Sequence, residues 1–433
     1  MSPLNVAVAV DAWIDPSDAY AGVVGDDPHG FWLDAGPDAL HGWSWLGVGR
    51  PEFDPAAVDA VDLTRPSHRT DEAGPFRGGW VGWVTYEAGA SAAAAPTVTG
   101  DDPARWWLRV DDFLAFDHAN RRVWAWAPTR ERATRLAATA ARCRPDAALP
   151  AEPAAFVARS RHLPSEYGEL VERCRDHIRE GDAYLLCVTT RFEIDGHIDP
   201  RAVHRRLRAS SPSHHGGFVR AGGTALVSAT PERFLTVADG VVRTHPIKGT
   251  RPRSIDPVED RRLADELRAD PKERAENVMI VDLMRNDLAR VCAPGTVTVE
   301  RLLDIESYPA VHQLVSTIAG SLADGATLGS LLAAAFPAGS MTGAPKLSAM
   351  TILRELEAAP RGVFSGCFGW VGDDGGADLA MVIRSVVVHP DGAYVGAGGG
   401  ITWHSRPEAE VREVGWKARA PLAAIGAVLP PGW

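Results

Sequence analysis

Cysteine is scarce in this 433-residue chain, and it is not arranged in pairs. The chain has five cysteines, an odd number, and none of them forms a C-x-x-C motif. They are Cys143, Cys174, Cys187, Cys292 and Cys367. This usage argues against a disulfide framework or a cysteine-based zinc site, and it favours reduced thiols in a cytoplasmic protein.

The chain also lacks long apolar runs and an excess of positive charge. Its first residues, MSPLNVAVAVDAW, contain no basic stretch, and Asp11 interrupts the apolar run, so we predict no signal peptide. No window reaches the ~18 uninterrupted apolar residues that a membrane span requires. The formal net charge of −11 argues against nucleic acid or an anionic membrane as the main partner.

What is present is the composition of a globular protein, with 45% hydrophobic and 23% charged residues. A proline- and alanine-rich stretch over residues 143–163 predicts a connection between an N-terminal unit, residues 1–145, and a larger unit, residues 160–428. Strand and helix patterns are grouped rather than strictly alternating along the chain. The sequence therefore predicts an α+β fold.

Several segments have clear secondary-structure patterns. FLAFDHANRRVWAWAP predicts a hairpin, and the dense tryptophans around it are expected to fill the core between sheet and helices. One helix is predicted to end at Gly181, and another to begin at Pro271. The segments AYLLCVTTRFEI, LAMVIRSVVVHP and AYVGAGGGITW are predicted to be strands, and PEAEVREVGWKARAPLAAI is predicted to be the last helix.

Three glutamates are candidate metal ligands. Glu410 and Glu413 are three residues apart on the predicted last helix, so they project from one face about 5–6 Å apart. Glu276 lies among apolar positions of an earlier predicted helix. Three carboxylates without a histidine or cysteine cluster suit Mg²⁺. The alternatives for the helical pair are a solvated charged face or bridging by Lys417, one turn further along.

Four other features could serve either binding or structure. The segment GAGGGI, from Gly396 to Ile401, contains consecutive glycines that could bring backbone N–H groups close to an anion, or form a bulge or bend. In GSMTGAPK, backbone N–H groups and Thr342 could hold an anion, or cap a helix. Arg384, in an apolar strand pattern, could hold a carboxylate or lie on the solvent face. Lys248, in the turn THPIKGTRPR, is either a solvated loop residue or a nucleophile that must first lose its proton.

Together these segments resemble the chorismate-utilising enzymes, in particular component I of aminodeoxychorismate synthase and its relative anthranilate synthase. The matching segments are SATPERF, PIKGTRPR, AENVMIVDLMRND, VHQLVSTI, GSMTGAPK, MVIRS and GAGGGI…EAEVREVGWKA, in family order over about residues 165–420. The N-terminal FWLDAG and GGWVGWVTYE resemble the amino-terminal subdomain of that family. The resemblance implies a two-subdomain fold of antiparallel sheets flanked by helices, with chorismate and Mg²⁺ bound in a cleft.

The resemblance also implies roles for individual residues. The implied metal carboxylates are Glu276, Glu410 and Glu413. The implied substrate-binding residues are Gly249, Thr250, Thr342, Phe364, Arg384, Gly398, Gly399 and Gly400. Among these, Arg384 and the three glycine amides would hold a substrate carboxylate, and Gly249 and Thr250 would line the ring site. Glu232 of TPERF matches the general acid/base of the family, placed to protonate a leaving hydroxyl.

Lys248 indicates which member of the family the chain resembles. Aminodeoxychorismate synthases have Pro-Ile-Lys-Gly-Thr at this turn, whereas anthranilate synthases usually have a small residue in place of the lysine. The implied chemistry is attack of Lys248 on C2 of chorismate while the C4 hydroxyl leaves with a proton from Glu232. Ammonia then adds at C4, and the product, 4-amino-4-deoxychorismate, leads to p-aminobenzoate for folate or a secondary metabolite. Leu185 stands where isochorismate and salicylate synthases have a water-activating lysine, which argues against water as the nucleophile.

Some features leave parts of this assignment open. No G-x-C-x-G elbow is present, so ammonia is expected from a separate glutamine amidotransferase subunit or from ammonium. Arg406, Gln313 and Phe364 depart from the usual family residues and leave the details of the pocket open. Ala35 replaces a serine common in tryptophan-sensing relatives, so regulation by tryptophan is also open. The alternatives are component I of anthranilate synthase and a catalytically silent chorismate-binding subunit.

Overall fold

The structure, a computed structural model, describes residues 5–65, 72–145, 156–308 and 311–433. Its strands, numbered along the chain, are β1 (Val6–Ala9), β2 (Gly30–Asp34), β3 (Trp43–Val48), β4 (Arg50–Glu52), β5 (Gly79–Val84), β6 (Arg105–Val110), β7 (Phe113–Asp117), β8 (Arg122–Ala127), β9 (Phe156–Val157), β10 (Arg159–Ser160), β11 (Leu185–Asp195), β12 (Gly216–Ala221), β13 (Thr224–Ser228), β14 (Arg233–Ala238), β15 (Val241–Thr244), β16 (Ile247–Pro252), β17 (Thr298–Ser307), β18 (Val311–Ser321), β19 (Gly343–Ala344), β20 (Cys367–Gly372), β21 (Ala377–Met381), β22 (Ser385–His389), β23 (Gly392–Ile401) and β24 (Ala427–Val428).

Helices alternate irregularly with these strands. They are α1 (Pro16–Ala19), α2 (Pro55–Asp59), α3 (Tyr86–Ala92), α4 (Arg130–Ala140), α5 (Pro164–Glu180), α6 (Pro200–Ser210), α7 (Pro257–Ala269), α8 (Pro271–Ala289), α9 (Leu328–Ala335), α10 (Lys346–Glu357) and α11 (Pro407–Ile425). A π-helical segment, Tyr20–Val24, extends α1, and a single 3-10 turn, Gly339–Met341, precedes β19.

Two large antiparallel sheets form the centre of the fold. The first sheet has the strand order β1-β8-β7-β3-β2-β12-β13-β22-β23-β11-β10, with β19 also paired to β11. The second sheet has the order β16-β18-β15-β14-β21-β20-β5-β6-β4, with β17 also paired to β18. The predicted α+β class with antiparallel sheets and flanking helices is therefore confirmed.

Alternation along β11 shows where the two main cores lie. Leu185 and Cys187 point into an apolar core between the two sheets, which also contains Trp83. Leu186 and Val188 point the other way, into a second core that the first sheet forms with helices α5, α6, α10 and α11. Successive strand residues face opposite sides of a sheet, so one strand contributes to both cores.

The tryptophans do fill the core, but mostly in a different layer from the one predicted. Trp45, Trp83, Trp107 and Trp370 are buried between the two sheets, while Trp32 packs in the core on the helix side. The large aromatic rings therefore mainly hold one sheet against the other.

The predicted boundaries of several elements are confirmed. The hairpin forms between β7 and β8. Helix α5 ends at Gly181, which has the left-handed conformation that favours glycine, and α8 begins at Pro271. Within the described residues, none of the helices has the length and apolar character needed to cross a membrane.

The prediction of one continuous strand over LAMVIRSVVVHP is wrong. The segment forms β21 in the second sheet and β22 in the first, and Val382–Arg384 connects them. Arg384 has a φ of +52°, which a residue inside a regular strand does not adopt. The apolar pattern continues through this crossover because both strands are buried, so periodicity alone could not reveal it.

The predicted division into residues 1–145 and 160–428 stays a prediction about the chain. Each of the two sheets takes strands from both sides of it: β2 pairs with β12, and β5 pairs with β20. Residues 146–155 of the predicted connection lie outside the described residues.

Candidate active site

A cleft of about 560 Å³ opens where strands of both sheets approach helices α8 and α11. Its walls are formed by β11, β16 and β23, the two helices, the 3-10 turn and the β21–β22 connection. The sequence-predicted residues that line it are Glu232, Lys248, Gly249, Thr250, Glu276, Phe364, Arg384, Gly398, Gly399, Gly400 and Glu413. Segments far apart in the sequence therefore meet in one cavity.

Lys248 projects into this cleft because β16 is irregular at the next residue. The register between β16 and β18 shifts between Lys248 and Thr250, and Gly249 has a φ of +79°. A β-bulge of this kind re-aims the neighbouring side chain. A Cβ on Gly249 would also lie 2.7 Å from Leu267 Cδ1, so glycine is required there for space as well as for conformation.

Lysine is otherwise almost absent from the chain. There are four lysines, and three of them, Lys248, Lys272 and Lys417, line the cleft. The fourth, Lys346, donates to Asp287 Oδ2 at 2.6 Å and to Ala335 O at 3.0 Å. Arginine supplies the remaining strong cations of the chain. A compact ammonium that can lose its proton is therefore largely confined to the cleft.

Lys248 is only loosely paired. Its Nζ lies 3.8 Å from Glu276 Oε2, beyond hydrogen-bonding distance. Burial acts to lower the pKa of Lys248, but the charges of Glu276, Glu232 and Glu413 help to outweigh it, so the pKa is raised above its ordinary value. The carboxylates around the lysine thus favour its protonated form.

Glu232 is held by a hydroxyl of the 3-10 turn. Ser340 Oγ donates to Glu232 Oε1 at 2.7 Å. Burial raises the pKa of Glu232, while the Ser340 hydrogen bond and the Lys248 charge oppose that rise. A carboxyl with a raised pKa retains its proton closer to neutral pH, as a general acid must.

The three candidate metal carboxylates approach the cleft differently. Glu276 and Glu413 line its wall, whereas Glu410 is buried beside β23, where its Oε2 would lie 3.0 Å from a Cβ on Gly399. Their oxygens do not all come within 4.8 Å of one another in this described part of the chain. Lys417 Nζ lies 2.7 Å from Glu413 Oε1, so the lysine pairs with this glutamate.

One of these carboxylates, Glu276, nevertheless has an oxygen atom without a hydrogen-bond donor among the described residues. Glu276 Oε1 is buried and accepts no hydrogen bond from any described residue. Burial and the neighbouring charge of Glu413 raise the pKa of Glu410. A buried carboxylate oxygen without a donor, such as Glu276 Oε1, could help to hold a divalent cation.

The glycines of β23 form neither a bulge nor a turn. Their pairing with β11 runs without a shift from Gly392 to Ile401. Lys417 Nζ donates to Gly398 O at 2.8 Å, so this edge of β23 faces the cleft rather than β11. Because the N–H and C=O of one strand residue point to the same side, the Gly398 and Gly400 amides face the cleft and the Gly399 amide faces β11.

These glycines also make room for side chains. A Cβ on Gly400 would lie 3.6 Å from Lys248 Nζ and 3.3 Å from Leu185 Cδ1. A Cβ on Gly396 would collide with the ring of Phe364. The missing side chains let the lysine and the phenyl ring approach the backbone of β23 closely.

Arg384 and two of the departures from the family pattern also reach the cleft. Arg384 lines the wall from the crossover between the sheets, not from a strand as predicted, and burial lowers its pKa. Phe364 and Gln313 line the same cavity. Gln313 Oε1 is buried without a partner in the part of the chain that the structure describes. Arg406, in contrast, is exposed at the start of α11.

Thr342 is not brought to the cleft wall. Its side chain is fully buried, and its Oγ1 donates to Ala338 O at 3.1 Å. The Cys187 N–H donates to Thr342 O at 2.8 Å, which ties the turn to β11. The neighbouring Ser340 and Met341 line the cleft instead. The threonine therefore serves the structure of the turn, which the sequence pattern alone could not distinguish from binding.

Sequence reasoning missed several cleft residues because nothing in the pattern marks them as binding or catalytic residues. They are Cys187, Ser340, Met341, Lys272, Glu273, Arg412 and Trp416. Helical spacing relates three of the residues on α11: Arg412, Glu413 and Trp416 fall on one side of the helix at positions i, i+1 and i+4.

Comparison with known proteins then places the chain among relatives. A sequence profile described as chorismate binding enzyme matches residues 52–423. The chain belongs to the chorismate-binding enzyme family. Within that family, the aminodeoxychorismate synthase of Streptomyces pristinaespiralis is 41% identical over 370 residues, which cover 81% of this chain and 51% of the relative. This chain therefore spans about half the length of that protein.

Other members of the chorismate-binding family match over nearly the whole chain. Anthranilate synthase component 1 of Streptomyces coelicolor is 38% identical over 447 residues, covering 96% of this chain and 87% of the relative. The crystal structure of anthranilate synthase component I from Streptococcus pneumoniae superposes with a TM-score of 0.72 and 27% identity, over 97% of this chain and 92% of that one. The fold and the family are thereby shown, while the particular reaction is not distinguished.

Proposed function

We propose that this chain is an aminodeoxychorismate synthase component I, which replaces the C4 hydroxyl of chorismate by an amino group. The observation that carries the proposal is the position of Lys248, on a bulge that directs it into the cleft against Gly400. A small neutral residue in place of Lys248 would leave this position in the cleft without an amine. Relatives that carry the name aminodeoxychorismate synthase support the proposal but do not separate it from anthranilate synthase.

Glu232 and Lys248 would divide the substitution into two steps. The neutral amine of Lys248 attacks C2, both conjugated ring double bonds shift towards C4, and the C4–O bond breaks as Glu232 gives its proton to the departing hydroxyl, which leaves as water. Ammonia then attacks C4, both double bonds return to their original positions, and the C2–N bond to Lys248 breaks. Glu232 takes the proton that the new C4 ammonium loses, so both residues end in their starting states.

Mg²⁺ is a proposed cofactor, held by Glu276, Glu410 and Glu413. The donor set fits, because Glu276 Oε1 is buried without a donor and the three ligands are carboxylate oxygens. When bound, the ion would neutralise these carboxylates and polarise the ring carboxylate of chorismate. With the charge of Glu276 neutralised, the burial that lowers the pKa of Lys248 would be opposed less strongly, which would favour the neutral amine.

The substrate carboxylates would be met by groups that the cleft leaves available. Arg384 presents a guanidinium, and Gly398 and Gly400 present amides along the cleft edge of β23. Ammonia would come from a glutamine amidotransferase subunit or from ammonium in solution. The product of this amination, 4-amino-4-deoxychorismate, is a precursor of p-aminobenzoate.

Product analysis tests the proposal directly. Purified protein is incubated with chorismate, Mg²⁺ and ammonium, and the products are identified by mass spectrometry. A product that keeps the enolpyruvyl group, and that an added lyase converts into p-aminobenzoate, is the expected result. Anthranilate with pyruvate would overturn the proposal in favour of anthranilate synthase, and binding of chorismate without turnover, also with an added amidotransferase subunit, would indicate a silent subunit.

Lys248 can be examined separately for its covalent role. In the absence of ammonium, the protein incubated with chorismate and Mg²⁺ is expected to gain the mass of chorismate less one water. The adduct should map to the peptide that contains Lys248 and be absent from Lys248→Met. An unmodified wild-type protein that still aminates chorismate would contradict the covalent role.

A further inference from the structure

Arg361 lies behind the wall of the cleft and contacts two of its segments. It follows α10 in the chain and is only 2% exposed. Its Nη1 donates to Met341 O at 2.6 Å, and its Nη2 donates to Cys187 O at 2.8 Å. Met341 and Cys187 both line the cleft, one from the 3-10 turn and the other from β11. One guanidinium thus joins two wall segments from behind.

The guanidinium is also paired with a buried carboxylate. Its Nε donates to Glu357 Oε2 at 2.8 Å, and its Nη2 donates to Glu357 Oε1 at 2.7 Å. Glu357 Oε1 also accepts from the Thr189 N–H at 2.8 Å. The Tyr86 ring lies 4.3 Å from Arg361 Cζ. A buried ion pair is stable only when its remaining donors and acceptors are satisfied, and here four of the five guanidinium N–H groups have acceptors.

The same turn positions Glu232. Ser340, the residue before Met341, donates to Glu232 Oε1 at 2.7 Å. A shift of the Met341 carbonyl would therefore move the Ser340 hydroxyl. The charged groups that act on Glu232 directly are Lys248 from β16 and Lys417 from α11. Arg361 is not among them, so its route to Glu232 is the backbone of the turn.

We propose that Arg361 is a positioning residue for Glu232, which it serves by fixing the Met341 carbonyl and hence the Ser340 hydroxyl. The inference rests on the proposed role of Glu232 as the general acid. An arginine suits this position because its planar fork can serve two carbonyls and a carboxylate at once, which a lysine ammonium cannot do with the same geometry.

The test uses a pair exchange that leaves no unpaired charge. In Arg361→Met with Glu357→Gln, both charges are removed, and the glutamine carbonyl can still accept from Thr189. We expect a folded protein in which kcat/KM falls roughly 10²-fold, as expected when a catalytic group is displaced by about 1 Å. The limb of the pH profile that reports Glu232 should move to higher pH, because loss of the Ser340 hydrogen bond removes an influence that lowers its pKa.

A cycle with Ser340→Ala shows whether the effect passes through the turn. Ser340→Ala alone should move the same limb in the same direction. In that background, the pair exchange should move it no further. A limb that still moves in the Ser340→Ala background, or that does not move in the pair exchange alone, would overturn the inference.

A second variant keeps the test decisive if the pair exchange fails to fold. Arg361→Lys keeps a cation beside Glu357 but loses the fork, so it should shift the limb in the same direction; an unshifted limb would overturn the inference. The profile can be recorded on whichever chorismate-consuming reaction the wild type performs. Failure of the proposed function, seen in the identity of the wild-type product, is therefore separate from failure of the Arg361 inference.

Discussion

The two faces of strands β11 and β23 differ in chemistry although the backbone is shared. The cleft face carries Leu185, Cys187, Thr189, Gly396, Gly398 and Gly400, and the helix face carries Leu186, Val188, Phe192, Val395, Ala397 and Ile401. On the cleft face, glycines leave room for charged side chains from other elements. On the helix face, apolar side chains fill a closed core. Activity and stability thus depend on opposite faces of the same strands.

The largest loss of activity should come from replacing Lys248, which projects from β16 towards the cleft face. Lys248→Met removes the amine but keeps most of the side-chain volume, so amination should fall by on the order of 10⁴-fold, as for loss of a principal catalytic group. The midpoint of thermal unfolding should change little, because the lysine makes only a loose ion pair. Steady-state rates and thermal unfolding measure the two quantities. A large loss of stability would contradict the separation between the faces.

Glu232→Gln should have the second largest effect. The amide can still accept from Ser340 but cannot supply a proton, so amination should fall by about 10³-fold. Glu273→Gln is the matched control, since Glu273 lines the same cleft without a proposed role in proton transfer. Equal losses in the two variants would show that the charge of the cleft matters, rather than a proton on Glu232.

Gly399→Ala tests whether a side chain on β23 that displaces Glu410 weakens the binding of Mg²⁺. The new Cβ would lie 3.0 Å from Glu410 Oε2, so the carboxylate must move. We expect about tenfold more Mg²⁺ to be needed for half-maximal activity, the size of effect that a displaced metal-site group produces. Activity is measured as a function of Mg²⁺ concentration. Gly168→Ala, on α5 with its nearest new contact at 3.7 Å, is the control and should leave the curve unchanged.

His204, on α6, is buried on the helix side of the first sheet, and it is expected to affect stability rather than activity. Burial lowers the pKa of His204 to about 3, while Asp34 and Arg208 act on it in opposite directions. Its folded-state pKa lies below the unfolded value of 6.5, so its contribution to stability is present above pH 6.5 and is lost as the pH falls towards 3. The expected slope is on the order of 1 kcal/mol per pH unit within that window.

In His204→Phe the midpoint of thermal unfolding should therefore depend less on pH below 6.5. The phenyl ring can keep the stacking on Phe218, whose ring centroid lies 5.0 Å away. Activity at neutral pH should be unchanged. A slope identical to that of the wild type would mean that other buried histidines, such as His214 and His245, carry the whole effect.

Much of the fold and of the cleft could be predicted from the sequence because the relevant signals are local. The helix stop at Gly181, the helix start at Pro271 and the β7–β8 hairpin each depend on a few adjacent residues. The motif residues that meet in the cleft were predicted together only through the family resemblance. Composition and periodicity alone left Lys248 and the β23 glycines with structural alternatives.

The parts that could not be predicted depend on long-range geometry. The crossover at Arg384 is hidden because β21 and β22 are both buried, so the apolar pattern does not break. Thr342 and Ser340 are both small polar residues in one motif, and only the tertiary structure shows which of the two hydroxyls faces the cleft. Arg361 appears in the sequence as a loop cation, and its burial follows from contacts with segments 20 and 174 residues away.

Because most lysines of the chain line the cleft, reagents that modify amines should react mainly there. Amine-directed reagents that modify most proteins at many surface lysines would meet three of the four ε-amines of this chain along the wall of one cavity, where Lys272 is the most exposed of the three. Acylation or reductive alkylation would therefore act as an occupancy reporter, since a molecule bound there shields Lys248, Lys272 and Lys417 together. For the same reason, immobilisation through lysine would block the cleft, whereas attachment through another functional group would leave it open.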